Sequence, residues 1–175
     1  NHMSMLETLV LPGILLAFGD VSVVVKQALL EYPVFSRVMA AVDPIAVGRK
    51  DPRDDLKHVL EKGESILRSG RSVLIFPQAT RAPGFDPAGF NSLGVKLARN
   101  AGVQVVPVAL RTDFQGIGKW IRDAGPLDRR NPILFKVGKA LDVKGNGRET
   151  QEAVVRFITE AMQEWGVVVS KPGTT

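Results

Sequence analysis

The chain of 175 residues contains no cysteine. Disulfides and thiolate metal sites are therefore excluded, and the usage suits a reducing compartment. Histidine is nearly as scarce: only His2 and His58 occur. That is too few for a histidine-rich metal cluster, and no metal is expected. Long apolar runs are missing as well. The longest early uncharged stretch, Thr8 to Gly19, has twelve residues and is broken by Pro12-Gly13. A membrane span needs about 20 apolar residues, so no transmembrane helix is expected, and no secretory signal is visible. The chain opens abruptly on a candidate motif, which leads to the expectation of a preceding N-terminal segment with room for an anchor.

What is present is globular. Apolar residues make up 45% and charged residues 23%, which rules out disorder as the default. The length suits one domain with a sizeable core. No repeat and no linker rich in Pro, Gly or Ser divides it, so residues 1–175 read as a single domain, with 167–175 a frayed tail. The net charge of +5 is unevenly placed: from Arg111 to Arg148 nine Lys/Arg face four Asp/Glu, and the rest is balanced. A local basic surplus fits an anionic partner, or simply a solvated basic face.

Short β-branched or apolar segments alternate with amphipathic ones. "DVSVVVK", "VDPIAVG", "SVLIFP", "VQVVPVAL" and "NPILFKVG" read as strands. "QALLEYPVFSRVMAA" reads as a helix interrupted at Pro33. The clearest helix follows Asp51, a good N-cap with Pro52 behind it. Its stripe is Leu56, Val59, Leu60, Ile66 and Leu67, and Gly70 ends it. "AGFNSLGVKLARNAG" closes on Gly102, and "RETQEAVVRFITEAMQEWG" is the last helix. The alternation predicts an α/β fold with a mainly parallel central sheet covered by helices.

In such sheets, sites gather beyond strand ends. Two loops qualify. After "VLIF", Pro77 stops the ladder and Gln78, Ala79, Thr80 and Arg81 form a tight polar turn. The donor fork of Arg81 suits phosphate or carboxylate; tying down the loop is the alternative. After "PIAV", Gly48 precedes Arg49 and Lys50 at a helix N-terminus, a place where cations are not favoured by the helix dipole and an anion is. Pairing with Asp51, Asp54 and Asp55 is the alternative there.

The residues now resemble a known family. "FPQATR" looks like the Phe-Pro-Glu-Gly-Thr-Arg block of the glycerolipid acyltransferases, the lysophosphatidic acid acyltransferase superfamily. "NHMSMLE" is similar to that family's opening Asn-His-x-Ser-x-x-Asp block. "PIAVGR" stands in the place of its second block and "VVPVAL" resembles its fourth. The four occur in the family's order between Asn1 and Leu110. The resemblance implies transfer of a fatty acyl group from a coenzyme A or acyl-carrier-protein thioester to a lysophospholipid hydroxyl, with no bound cofactor. It implies His2 as general base with Glu7 as its carboxylate partner, and Arg49 and Arg81 holding the acceptor phosphate. Pro77, Gln78, Ala79 and Thr80 would shape the loop, and Val106, Pro107 and Val108 would line the acyl region.

That chemistry is sound from first principles. A thioester is already activated, so no covalent enzyme intermediate is required. The alcohol is the weak partner, and a positioned histidine taking its proton contributes roughly 10²–10⁴-fold. A carboxylate fixes the tautomer and stabilises the imidazolium that forms. Two departures from the family pattern stand out: Glu7 replaces its usual aspartate, and Gln78-Ala79 replaces Glu-Gly. The loss of a charge at Gln78 keeps a second hypothesis open, a non-catalytic lipid- or acyl-binding member of the same fold.

Glu7 also has a purely structural reading. Ser4-x-x-Glu7 is a capping box, in which Ser4 caps the helix and Glu7 reaches back. Positions five apart in a continuous helix diverge by roughly 140°, so His2 and Glu7 meet only if they straddle the helix start. A third reading makes "NHM" cloning residue and the spacing accidental. His58, mid-helix, reads as a surface residue. In the basic segment, Phe114, Ile117, Trp120 and Ile121 interleave with Lys119, Arg122, Arg129 and Arg130. That mixture suits a peripheral contact with anionic lipid at the cytoplasmic face of a membrane; a surface loop with Trp120 in the core is the alternative. No nucleic-acid partner is expected, because no binding motif is present.

Overall fold

The computed structural model describes residues 1–48, 51–78, 81–116, 118 and 125–170. The architecture is α/β with a parallel sheet, and the residues gather into two compact units, 9–75 and 1–8 with 76–175. Helix α1 is Leu6–Leu16.

Unit 9–75 holds a parallel sheet in the order β2-β1-β3, made of β1 (Val21–Lys26), β2 (Ile45–Val47) and β3 (Ser72–Leu74). Val24 pairs with Ile45 and Val21 with Ser72. The central strand is buried at Val21, Ser22, Val23 and Val25, the near-continuous burial of a strand covered on both faces. Ser22 can be polar there because its hydroxyl donates to the Asp43 carbonyl at 2.7 Å. The expected interruption at Pro33 is a 3-10 turn, Gln27–Glu31, followed by α2, Pro33–Ala40.

Helix α3, Pro52–Arg68, starts and stops as its sequence dictates. The Asp51 carboxylate accepts from the Arg53 and Asp54 N–H groups, and Gly70 lies at φ +85° beyond the last turn. Its buried face is Val59, Gly63 and Ile66. Leu56, expected on that stripe, is exposed in the second turn. His58 is exposed, as expected of it.

The other unit carries α4 (Leu93–Ala101), β4 (Val108–Arg111), β5 (Leu134–Val137) and α5 (Arg148–Glu164). The two strands are antiparallel, Val108 opposite Val137 and Arg111 opposite Leu134, and form a separate two-stranded sheet. The core gathers Met3, Phe85, Phe90, Ala109, Val154, Ile158, Ala161 and Met162, with the Phe85 and Phe90 rings edge to face at 5.6 Å. Helix α4 begins later than its sequence predicts, because Phe90 is drawn into this core; ahead of the helix the Asn91 side chain accepts from the Leu93 N–H.

Residues 167–170, expected as the start of a frayed tail, are instead tied down. The Phe85 N–H donates to the Val168 carbonyl and the Ser170 N–H to the Phe85 carbonyl, both at 2.9 Å. Gly84 permits this: a Cβ there would lie 2.7 Å from the Val168 carbonyl oxygen.

Candidate functional site

The start of α1 gathers polar groups that are otherwise surrounded by apolar core. Ser4 and Glu7 form the reciprocal pair their spacing predicts. The Ser4 hydroxyl accepts from the Leu6 N–H at 3.1 Å, and the Ser4 N–H donates to the Glu7 carboxylate at 2.9 Å. Glu7 does more than cap, however. Its Oε1 accepts from His2 Nδ1 at 2.9 Å and from the Met3 N–H at 2.6 Å. Its Oε2 accepts from the Ser4 hydroxyl at 2.6 Å and from the Thr112 hydroxyl at 2.5 Å. The capping and histidine-pairing readings are therefore both realised, because His2 lies ahead of the helix and Glu7 in its first turn.

Glu7 is fully buried. Burial alone would push its carboxyl up. The hydrogen bonds from His2, Ser4 and Thr112, with the charge of His2, outweigh burial and hold the pKa down at about 2. Glu7 is thus a carboxylate at neutral pH and can only accept. The proton of the 2.9 Å bond then belongs to Nδ1, which leaves the lone pair of the imidazole at Nε2. Nε2 has no hydrogen-bond partner among the described residues.

Two further groups fix the segment from β4. The Asn1 amide donates to the Leu110 carbonyl at 2.7 Å and accepts from the Leu110 N–H at 2.9 Å. It thus occupies the edge of β4 as a neighbouring strand would. One residue past the end of β4, Thr112 is fully buried and reaches Glu7. Sequence reasoning missed both roles. Asn1 stood beside His2 as a visible signal, but nothing local marks Thr112.

The loop after β3 lies along His2. The ring of His2 packs on Phe76 with centroids 5.0 Å apart. The Gln78 side-chain carbonyl accepts from the His2 N–H at 3.4 Å, and the Ala82 N–H donates to the His2 carbonyl at 3.2 Å. Arg81, half-buried, is thus adjacent in sequence to a residue bonded to His2. Strand β3 ends at Leu74, two residues before Phe76 where its sequence suggested an end; the Pro77 carbonyl instead accepts from the Asn91 N–H, and Gln78 bridges to Phe90.

Of the other expected residues, Pro107 is buried, Val108 half-buried and Val106 half-exposed. Strand β4 starts only at Val108, since Pro107 lacks an N–H for a ladder. Arg49, Ala79, Thr80, Trp120 and Arg122 lie outside the described residues. Arg129 and Arg130 are exposed, and Arg130 pairs with Asp128 at 2.7 Å. Elsewhere in the basic segment, Arg111 pairs with Asp113, Lys136 with Glu164 and Arg148 with Glu152. Glu164 and Glu152 lie outside the stretch counted, so these two pairs partly neutralise its surplus in space. Among the described residues, no group of three or more His, Asp or Glu could hold a metal ion.

Comparison with known proteins identifies the family. A family model described as Acyltransferase matches residues 1–111. The 1-acyl-sn-glycerol-3-phosphate acyltransferase of Pseudomonas aeruginosa is 33% identical over 168 residues, 94% of this chain and 62% of that protein. A 1-acyl-sn-glycerol-3-phosphate acyltransferase from Chlamydomonas reinhardtii is 32% identical, over 93% of this chain and 47% of its own length. The chain therefore spans about half to two thirds of the length of these relatives. Among solved structures, the 1-acyl-sn-glycerophosphate acyltransferase of Thermotoga maritima superimposes with a TM-score of 0.67 at 20% identity, covering 98% of this chain and 66% of that one. That likeness shows the fold. On the family match over residues 1–111, the chain belongs to the acyltransferase family.

Proposed function

We propose that this chain transfers a fatty acyl group from a thioester to the hydroxyl of a lysophospholipid, with lysophosphatidic acid as the leading acceptor. The observation that carries the reading is the 2.9 Å bond from His2 Nδ1 to a buried, ionised Glu7. It leaves Nε2 able to take the acceptor's proton. The acceptor oxygen then attacks the thioester carbonyl, and the imidazolium is stabilised by Glu7 while the charge lasts. Collapse of the tetrahedral intermediate breaks the carbon–sulfur bond, and the leaving thiolate takes the proton back from His2. The products are an ester and a free thiol, and the balance needs no cofactor. The names of the relatives point to the same acceptor.

Coenzyme A and acyl carrier protein are both chemically competent donors. The test is release of free thiol from each thioester, with and without lysophosphatidic acid. Acceptor-dependent release supports transfer. Lipid binding without release would establish the non-catalytic reading that Gln78 keeps open.

Arg81, with Arg49, is assigned to the acceptor phosphate. A hydrogen bond to a charged group contributes about 1.5–3 kcal/mol. Arg81→Ala is therefore expected to lower kcat/KM for lysophosphatidic acid about 10- to 100-fold, mostly through KM. An acceptor lacking the phosphate should be unaffected. Equal losses on both acceptors would show that Arg81 holds the loop and not the substrate. The same reading places the chain peripherally on the cytoplasmic face of a membrane. Arg129 would meet anionic lipid there with Trp120 and Arg122, because Arg130 is tied to Asp128. No described helix is long and apolar enough to cross a membrane.

A further inference from the structure

We infer that Thr112 is a positioning residue for proton transfer: its buried hydroxyl holds one oxygen of Glu7 so that the other faces His2 Nδ1. The inference rests on His2–Glu7 as the reacting pair. Three observations carry it. Thr112 Oγ1 donates to Glu7 Oε2 at 2.5 Å, while His2 Nδ1 binds the opposite oxygen, Oε1, at 2.9 Å. Thr112 is fully buried, so no water replaces its hydroxyl when the group is removed. Its own place is locked from both sides. Before it, the Leu110 peptide is bonded twice by Asn1. Around it, Arg111 bonds Asp113 at 3.1 Å and the Trp165 carbonyl at 2.6 Å.

The physical logic is that of a carboxylate with a soft terminal torsion. Glu carries one more rotatable bond than Asp, and its last torsion is broad. Within α1 and the turn before it, the donors to Glu7 are the Met3 and Ser4 N–H groups and the Ser4 hydroxyl. All of them come from the same local stretch of chain and move with it. Thr112 contributes the one bond, among those described, from a distant element. It fixes the plane of the carboxylate relative to β4, not merely relative to the helix start. His2 binds the oxygen opposite the one that Thr112 holds, so a turn of the carboxylate is felt at Nδ1.

The test compares Thr112→Val and Thr112→Ser with the parent and with His2→Ala, using thiol release with lysophosphatidic acid. Thr112→Val keeps the shape and removes the hydroxyl. Its kcat per folded molecule is expected to fall by about 10-fold or more, with KM for donor and acceptor unchanged. The acid limb of kcat/KM should move to higher pH. Without the Thr112 bond the Glu7 carboxyl loses one of the donors that hold its pKa down, which acts in that direction. Thr112→Ser keeps the hydroxyl and should restore the parental rate and limb. If Thr112→Val does not fold, Thr112→Ser decides: a folded serine variant slowed 10-fold or more overturns the inference. A folded valine variant with parental kcat and an unmoved limb overturns it as well, provided His2→Ala is inactive. Full activity in His2→Ala would instead remove the reading beneath it.

Discussion

His2→Ala is expected to lower kcat about 10²- to 10⁴-fold while leaving KM for the acceptor and the fold nearly unchanged. The geometry explains the separation. The ring contributes one face to Phe76 and one nitrogen to Glu7, and part of it is exposed. The bonds that anchor the segment come from other atoms. Asn1 holds Leu110, the His2 backbone holds Gln78 and Ala82, and Glu7 keeps its donors from Met3, Ser4 and Thr112. Removing the imidazole therefore removes the base and little of the architecture. The measurement is steady-state thiol release beside a thermal melt. A variant that melts as the parent does and still turns over at the parental rate would show that this imidazole is not the base. A variant that loses both activity and fold would show that its packing on Phe76 matters more than its chemistry.

The parts of this site that were legible in the sequence are those written in local spacing. Ser4 and Glu7 stand three apart, and a helix start converts that interval into a hydrogen bond whatever surrounds it. Asp51-Pro52 and Gly70 or Gly102 mark helix ends by the same kind of short-range rule. The loop after β3 was legible in its place but not in its cause: the strand ends at Leu74, ahead of the proline expected to stop it. What was not legible depends on distance along the chain. Thr112 is 105 residues from Glu7, in a stretch, "LRTDF", that reads as any polar strand exit. Only tertiary pairing makes it a donor. Element ends shifted too: Pro107 has no N–H to give the ladder and delays β4, and the pull of Phe90 into the core delays α4, which periodicity does not record. The antiparallel β4–β5 pair left no local mark, because which strands pair, and in which direction, is decided by tertiary contact.

Replacing Glu7 should be costly in two separable ways. In catalysis, Glu7→Gln removes the charge that stabilises the imidazolium, and kcat is expected to fall about 10²-fold or more. In stability, the amide presents an NH2 group where a carboxylate oxygen received the Ser4 N–H, so two donors face each other in a buried place. The sign of the pH effect follows from the depressed pKa. Glu7 ionises at about 2 in the folded protein against an ordinary value of 4.5. The unfolded chain therefore binds this proton first as pH falls. The stabilisation, on the order of 3 kcal/mol, is fully present above pH 4.5 and is lost as pH drops towards 2. Other carboxylates titrate in the same window, so the informative quantity is the difference between parent and variant. Denaturant unfolding at a series of pH values should show the parent losing its advantage over Glu7→Gln between those limits. A gap that stays constant with pH would mean that the Glu7 carboxyl is not held ionised by its donors. Glu7→Asp then separates charge from reach. It restores the charge, but a side chain one methylene shorter cannot satisfy His2, Ser4 and Thr112 together, so recovery of activity should be partial. Full recovery would show that the bond to His2 suffices and that the capping bonds are structural alone.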